Sequence, residues 1–417
     1  MGITSKQLEV VKCFEIERPK ILVCSGAKRA GKTWILIYCF LRHIAEYENK
    51  GYSFILGGTN QASIRRNVLN DLEVIIGHEI KLSKDNHFKI FGNKIYCFDG
   101  ANADSYKKVR GFTSYGAFLN EATTLHNTFI KEVISRCSGE GARIIMDTNP
   151  ENPTHTVKVD YIDKSGQRLS NGRLNIKAFS FTLFDNTFLD KEYVESIIQS
   201  TPSGMFTDRD IYGKWVSAEG VIYPDFTENL FIDVSNVNYD KVFCGVDWGF
   251  EHYGCIVVIA VDKDENYYLL EENAYQHKDI EFWVNEGMRI KAKYGDVMFY
   301  SDSARPEYIV KFQSKGLKAI NANKSVLEGI AEVATLYKKK KFFINREVKR
   351  FREEIYNYVW KPNADEPVKI MDDVMDGIRY AIHSENTMSN EKYDKSIYEK
   401  GKGIVKPNPY KRRNTVF

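Results

Sequence analysis

The chain has 417 residues, of which 43% are hydrophobic and 28% are charged, and its formal net charge is +3. This composition excludes a largely disordered chain, and the length predicts two domains. The apolar runs, such as residues 34–41 and 255–261, are far shorter than the roughly 20 residues of a membrane-spanning helix. The N-terminus also lacks the apolar segment of a signal peptide. We therefore expect no membrane association, while the even charge balance leaves a nucleic-acid partner open.

In the first part of the chain, short apolar segments alternate with longer amphipathic ones, which predicts a mainly parallel sheet with helices. The predicted strands are Ile21–Gly26, Ser53–Gly58, Lys94–Gly100, Tyr115–Asn120 and Arg143–Asn149, and a helix is predicted over Thr33–Tyr47. Residues 181–212 have a helical pattern, and a turn-rich segment follows from Gly213.

A second pattern begins near Lys241. Two β-rich runs on either side of the turn DKDEN predict an antiparallel hairpin. A strand is predicted over Asp296–Asp302, and a helix over about Asp373–His383. The last residues, from Asn386, are polar and predict a flexible basic tail. The seven cysteines form no CxxC pair, so we expect buried free thiols rather than a zinc site.

Residues 26–33 match the pattern G-x4-G-K-T between a predicted strand and a predicted helix. In such a loop the backbone N–H groups point at phosphate oxygens, and the helix N-terminus adds a favourable dipole. We expect Lys32 to neutralise the β- and γ-phosphates of ATP and the Thr33 hydroxyl to ligate Mg²⁺. The predicted nucleotide-binding residues of this loop are Gly26, Ala27, Lys28, Arg29, Ala30, Gly31, Lys32 and Thr33.

An ATPase of this type needs an acidic group on a neighbouring strand. The strand that ends in Asn120-Glu121 is the best candidate, and Glu121 is predicted to orient and polarise the attacking water. Asn120 has no negative charge to offer the Mg²⁺ shell. Either Asn120 acts through water, or another carboxylate such as Asp147 contributes.

Other residues near these motifs are weaker candidates. The strand ending in MDTNP carries Thr148 and Asn149, small polar groups suited to sense the γ-phosphate. Arg29 and Arg110 are candidates for stabilising the transition-state charge. Gln7, ahead of the first strand, is a candidate for reading the adenine edge.

Three aspartates follow strands or lie on a late helix. Asp247 occurs in GVDWG, Asp302 in YSDSARPE and Asp376 in MDDVMDGIRYA, close to Asp372 and Asp373. Carboxylates gathered from two strands and a helix repel one another unless cations lie between them. Two Mg²⁺ or Mn²⁺ ions would satisfy them and would clamp a phosphodiester for hydrolysis. The hairpin between Asp247 and Asp302 favours an RNase H-like sheet.

Taken together, seven segments resemble the large terminase subunit of tailed bacteriophages, of the type found in phages and prophages of Gram-positive hosts. They are GAKRAGKT, AFLNEAT, DTNP, IYGKWVSAEGVIYPDF, GVDWG, SDSARPE and DGIRYA, spread over roughly residues 1–385. The resemblance implies a motor that uses ATP and Mg²⁺ to drive double-stranded DNA into a procapsid. It also implies a nuclease, with Mg²⁺ or Mn²⁺, that cuts concatemeric DNA.

The resemblance further implies partners and a location. The protein would form a homo-oligomeric ring on the portal protein of the procapsid and would work with a small terminase subunit. It would act in the host bacterial cytoplasm, dock transiently on the procapsid and be absent from the mature virion.

Carried over residue by residue, the resemblance implies specific roles. Glu121 is the implied ATPase base, and Thr148 and Asn149 are the implied coupling residues. The implied nuclease metal ligands are Asp247, Asp302 and Asp376, with Asp373 a further candidate where relatives often have His. Lys324 and Ser325 resemble a stretch that approaches the DNA backbone.

We predict an α/β chain in four parts. Residues 1–212 form a P-loop ATPase domain with a helical lid, 213–238 a linker, 239–385 an RNase H-like nuclease domain and 386–417 a basic tail. The alternative is a helicase-like or repair ATPase fused to a nuclease, which should carry further helicase motifs on a second domain. A purely structural nucleic-acid-binding protein would not need two acidic sites.

Overall fold

The computed structural model describes residues 2–401, with side chains through Ser389. The described chain divides into two compact units, the first running to Glu219 and including Pro362–Asp365, the second containing Gly220–Lys361 and the residues from Glu366. Within residues 2–401, no helix combines the length and apolar character needed to cross a membrane. All seven cysteines are free and buried, which confirms the expected free thiols.

The first unit is built on a seven-stranded sheet. Its strands are β1 (Ile21–Gly26), β2 (Ser53–Gly58), β3 (His87–Ile90), β4 (Asn93–Asp99), β5 (Gly116–Leu119), β6 (Arg143–Thr148) and β7 (Ile176–Phe181). Its helices are α1 (Ser5–Lys12), α2 (Lys32–Ala45), α3 (Gln61–Ile64), α4 (Asn70–Ile76), α5 (Asn127–Arg136), α6 (Lys191–Ser200) and α7 (Met205–Asp210). The strand order is β3-β4-β2-β5-β6-β1-β7.

Only β3 runs antiparallel to its neighbour in this sheet, which confirms the predicted mainly parallel arrangement. All residues of β1 and β6 are buried, because apolar clusters cover both faces of the sheet. Strands β3 and β7, at the two edges of the sheet, were not predicted from the sequence. Edge strands are less buried and therefore lack the continuous apolar run that identifies central strands.

The second unit contains a mixed seven-stranded sheet. Its strands are β8 (Phe231–Ile232), β9 (Lys241–Asp247), β10 (Gly254–Val261), β11 (Tyr267–Tyr275), β12 (Met298–Ser301), β13 (Lys318–Asn321) and β14 (Phe342–Asn345). Its helices are α8 (Ile280–Tyr294), α9 (Pro306–Ser314), α10 (Val326–Lys338), α11 (Arg350–Glu354) and α12 (Asp373–Gly401). The order is β13-β12-β9-β10-β11-β14-β8, and the antiparallel β10–β11 pair confirms the predicted hairpin.

Two segments differ from the sequence expectation. Part of the segment predicted as a linker, Phe231–Ile232, is a strand of the second sheet, because its apolar side chains pair with β14. Helix α12 continues to Gly401, into the segment predicted as a flexible tail. No Gly or Pro interrupts residues 386–400, so nothing in that stretch stops the helix. The rest of the predicted tail, residues 402–417, lies outside the described residues.

Candidate active sites

The GAKRAGKT loop joins the end of β1 to the start of α2, as the motif requires. Gly26 and Gly31 have positive φ angles, 146° and 83°, in the region that favours glycine. A Cβ atom on Gly26 would lie only 2.0 Å from the Phe181 carbonyl oxygen. Ala27 and Ala30 are buried, whereas Lys28 and Arg29 are exposed. The loop therefore depends on glycine at its first position for the tight approach to β7.

Lys32 is buried, and its Nζ atom points back into this loop. It donates hydrogen bonds to the carbonyl oxygens of Gly26 at 2.8 Å and Ala27 at 2.6 Å, and to Asn149 Oδ1 at 3.1 Å. Burial lowers the pKa of Lys32 to about 8. A buried cation without a full anionic partner favours binding of an anion such as a phosphate.

Strands β5, β6 and β1 are neighbours, so their carboxyl ends meet at one edge of the sheet. There the Asp147 carboxylate, only 3% exposed, accepts a hydrogen bond from the Thr33 hydroxyl. Asn120 Nδ2 donates to both carboxylate oxygens of Asp147 at 3.0 and 3.1 Å, and the Glu121 backbone N–H donates at 2.9 Å. Burial raises the pKa of Asp147.

Glu121 directly follows this cluster. Its φ angle of 52° is uncommon for a residue with a side chain, and such angles concentrate at functional sites. Burial, with the nearby Asp147 charge, raises the pKa of Glu121, while the Arg66 charge lowers it. A half-buried carboxylate with a raised pKa is suited to accept a proton.

Thr148 and Asn149 link the loop to the segment after Glu121. Thr148 Oγ1 donates to Thr123 Oγ1 at 2.8 Å, and the Thr123 backbone N–H donates to Thr148 Oγ1 at 3.3 Å. Asn149 accepts from Lys32. The two residues therefore contact the phosphate loop on one side and the segment after Glu121 on the other.

Gln7 lies beside the loop, but its amide is engaged within the protein. Its Oε1 accepts from the Thr4 backbone N–H at 2.9 Å, and its Nε2 donates to the Gly31 carbonyl at 3.0 Å. It lines a cavity of about 350 Å³ together with Trp34 and Phe188. Neither aromatic ring was predicted from the sequence, although Trp34 directly follows the motif.

The arginine candidates differ in their surroundings. Arg29 lies in the loop itself with a φ of 60°. Arg110 is exposed and stacks over the Tyr106 ring at 4.8 Å. Arg66, which no motif marks in the sequence, is the arginine whose charge acts on the Glu121 carboxyl. It lies in a single π-helical turn, Arg65–Leu69, between α3 and α4.

In the second unit, all four predicted aspartates line one cavity of about 520 Å³: Asp247 at the end of β9, Asp302 after β12, and Asp373 and Asp376 in α12. Strands β9 and β12 are parallel neighbours, so Asp247 and Asp302 lie at the same edge. Helix α12 packs closely against β9. A Cβ atom on Gly245 would lie only 1.9 Å from the Gly377 carbonyl oxygen.

The charges in this cavity are partly balanced by lysine and arginine. Asp376, 4% exposed, pairs with Arg379 at 2.9 Å and with Lys369 at 2.7 Å. Burial opposes the charged form of Asp376, but these two cations more than offset it and hold its pKa below the usual value. Lys324 Nζ contacts the Asp302 carboxylate.

The pKa of Asp247 is shifted in the opposite direction from that of Asp376. Burial, together with the charges of Asp376, Asp302 and Asp373, raises its pKa well above the usual value. Among the described residues, no group of three or more His, Cys, Asp or Glu side chains stands in an arrangement that could hold a metal ion. The carboxylates share a cavity, but Asp302 is paired with Lys324, and Asp376 with Lys369 and Arg379.

The start of α12 is held by a residue that the sequence analysis missed. Glu354, fully buried, accepts from the backbone N–H groups of Val374 at 2.8 Å and Met375 at 3.1 Å. Asp373 pairs with Arg350 at 3.4 Å, and Asp372, just before the helix, pairs with Lys369 at 3.1 Å. No local sequence pattern identifies Glu354 as a partner of the α12 N-terminus, because residues 355–372 separate it from that helix.

Lys324 and Ser325 are exposed, immediately before α10. Their backbone carbonyls accept hydrogen bonds from Arg379 Nη1 at 3.2 and 3.3 Å. Since Arg379 also pairs with Asp376, one buried guanidinium connects this exposed segment to the cavity. This role of Arg379 was not predicted from the sequence.

Comparisons with known proteins identify one matching family and several similar structures. The model of a family described as the terminase large subunit, T4likevirus-type, N-terminal, matches residues 23–230. The chain is similar to the large terminase from a thermophilic bacteriophage, with 27% identity over 91% of this chain and 98% of that chain and a TM-score of 0.79. Structures of that phage protein with ADP and with ATP-gamma-S have TM-scores of 0.76 and 0.74. No curated protein matches the chain.

Proposed function

The chain belongs to the large terminase subunits, and we propose on this premise that it is an ATP-driven motor that moves double-stranded DNA into a procapsid and also cuts concatemeric DNA. The observation that carries the proposal is the meeting of three strand ends at one loop. There β1 supplies the phosphate loop, β5 supplies Glu121 and β6 supplies the residues that contact Lys32 and Thr33.

In the ATPase, Lys32 would bind the phosphates, exchanging its loop carbonyl partners for phosphate oxygens. Glu121 would hold and deprotonate the attacking water. The Thr33 hydroxyl and the carboxylate beside it are the hard oxygen donors that Mg²⁺ prefers, so these residues fit that ion. Bound Mg²⁺ would offset phosphate charge.

The contacts of Thr148 and Asn149 support a coupling role. A change at the phosphates would alter the Lys32–Asn149 bond, and the Thr148–Thr123 pair lies directly after Glu121. Movement of the end of β6 would therefore shift the position of Glu121. The aromatic cavity beside Gln7 is the proposed site of the adenine ring.

The second unit would be the nuclease, with an RNase H-like fold. Its support is the cavity lined by Asp247, Asp302 and Asp376, whose carboxylate oxygens are the donor type that Mg²⁺ and Mn²⁺ prefer. Such ions, when bound, would stabilise charge on a phosphodiester. Lys324 and Ser325, exposed beside this cavity, would meet the DNA backbone.

The helicase-like alternative requires a second domain that repeats the first. The second unit instead has a mixed sheet with the antiparallel strands β9, β10 and β11, unlike the mainly parallel first sheet. We therefore favour the packaging motor. The portal, the small terminase subunit, the ring, the Gram-positive host and action in the host cytoplasm are parts of this proposal.

The test of the proposed function is packaging of duplex DNA into portal-bearing procapsids with purified protein and ATP. We expect nuclease-protected DNA to accumulate, and ATP turnover to rise when procapsids are added. Procapsids without portal are the control. The proposal would be contradicted if ATP turnover were the same with and without the portal and no protected DNA accumulated.

Replacing Lys32 by Ala is expected to abolish ATP hydrolysis, because the buried ammonium that serves the phosphates is lost. Phosphate release and circular dichroism on the same preparation measure activity and folding. Lys50→Ala, which removes an exposed lysine of the same unit, is the matched control and should keep wild-type turnover. Turnover by Lys32→Ala at the wild-type rate would refute the phosphate-loop assignment.

Replacing Asp302 by Asn is expected to reduce metal-dependent cleavage by at least about tenfold and to leave ATP hydrolysis unchanged, since the two cavities lie in different units. Plasmid nicking in Mn²⁺ and phosphate release should be measured on one preparation. Asp296→Asn, on the exposed surface of the second unit, is the control. Loss of both activities in a folded protein would contradict two independent sites.

A further inference from the structure

We propose that Asp147, at the end of β6, supplies the carboxylate that binds the Mg²⁺ of the nucleotide, and that Asn120 positions this carboxylate instead of binding the metal. This inference rests on the proposed ATPase function. It assigns the metal-binding acid to a strand next to the one that carries the catalytic Glu121.

Charge distinguishes Asp147 from the other oxygen donors at the loop. Thr33, the other oxygen donor of the loop, carries no charge, and Asn120 cannot supply one. Asp147 is the carboxylate that contacts the Thr33 hydroxyl directly. Because β6 lies between β5 and β1 in the sheet, its carboxyl end faces both the loop and the end of β5. An acid at the end of β6 therefore reaches the loop at least as directly as one at the end of β5.

Hydrogen bonds on both sides of the Asn120 amide fix its orientation. Its Nδ2 donates to both oxygens of Asp147, and its Oδ1 accepts from Asn67 Nδ2 at 3.3 Å. The amide is thus fixed with its donor side toward the carboxylate. Asn120 is 2% exposed, so this is a buried polar contact rather than a surface one.

A neutral residue at position 120 has a physical reason. Two buried carboxylates in contact would repel each other, and one of them would take up a proton. An amide at position 120 avoids this repulsion and also donates hydrogen bonds that hold Asp147 toward Thr33. Positions 120 and 147 therefore form a complementary pair, one acid and one amide, and the pair should also work with the two residues exchanged.

The experiment uses Mn²⁺ as the probe ion and ATP-gamma-S as the nucleotide, with electron paramagnetic resonance reporting free and bound Mn²⁺. The variants are Asp147→Asn, the exchanged double variant Asn120→Asp/Asp147→Asn, and the control Asp104→Asn, which changes an exposed acid of the same unit. Binding of ATP-gamma-S in EDTA and circular dichroism check that each loop is folded.

We expect Asp147→Asn to weaken nucleotide-dependent Mn²⁺ binding by at least about tenfold, with metal-free nucleotide binding and the control unchanged. The exchanged variant should regain most of that loss. It keeps one acid and one amide, so it tests the proposal even where the single variant folds poorly.

Wild-type Mn²⁺ binding by Asp147→Asn would overturn the metal assignment. An exchanged variant that binds Mn²⁺ no better than Asp147→Asn would overturn the positioning role of Asn120. If the wild-type protein bound no ATP-gamma-S with or without metal, the proposed ATPase function would fail instead, so the two failures are distinguishable.

Discussion

Replacing Glu121 by Gln is expected to stop ATP turnover while nucleotide binding persists. The amide has the size of the carboxylate but cannot accept a proton from water, and loss of a general base typically costs about 10²–10⁴-fold in rate. Glu121 is half-buried beside Asp147, which raises its pKa and suits it to this role. Its side chain takes no part in the hydrogen bonds that hold Asp147, since only its backbone N–H does.

The measurement combines single-turnover hydrolysis with equilibrium binding of a fluorescent ATP analogue. Glu140→Gln, an exposed position of the same unit, is the matched control and should behave like the wild type. If Glu121→Gln lost nucleotide binding instead of turnover, Glu121 would have a structural role, and the base would have to be sought elsewhere.

Among the three acids at the start of α12, we expect Asp376→Ala to lose most of the DNA cleavage, Asp373→Ala a part and Asp372→Ala the least. All three line the cavity with Asp247 and Asp302, and Asp376 is the most buried of them. Loss of a direct ligand should exceed the roughly 10–100-fold effect that is typical of changes outside the ligand set. Cleavage by the three variants at saturating Mn²⁺ tests this order.

The structure adds a control to this series. Removing Asp376 leaves the buried Arg379 without its carboxylate, and breaking a buried ion pair in this way costs about 3–5 kcal/mol of stability. Asp376→Asn, which keeps the size and one acceptor oxygen but loses the charge, should therefore be studied beside Asp376→Ala, with thermal unfolding of each. An Asp376→Asn protein that is folded and cleaves better than Asp372→Ala would contradict the assignment of the third ligand.

Much of the first site could be predicted because its signals are local. The GAKRAGKT loop, its strand and its helix are contiguous in the sequence, and the glycine requirements at Gly26 and Gly31 follow from the loop itself. Glu121 was identified because it ends an apolar strand. Arg66 and Phe188 were missed, because neither lies in a motif and each reaches the site only through the packing of the first unit.

In the second site, too, some residues could be predicted from the sequence and others could not. Asp247 and Asp302 each end or follow a strand, so the sequence alone is enough to expect them at a shared edge. The partners Lys369, Arg379 and Glu354 could not be expected in this way, since ion pairs and helix caps between distant segments depend on how α12 lies against the sheet. The Gly245–Gly377 contact, which permits that close packing, joins positions that no local pattern relates.

The sequence by itself was enough to predict the phosphate loop, Glu121 as the candidate base, the aspartates of the second unit and the family. It left open what replaces the missing acid at position 120, naming Asp147 only as one alternative. The tertiary structure alone brings Asp147 against Thr33, across 114 residues of sequence. The physical reason is strand order: β6 enters the sheet between β5 and β1, and hydrogen bonding between strands, which no local pattern encodes, decides which side chains meet at that edge.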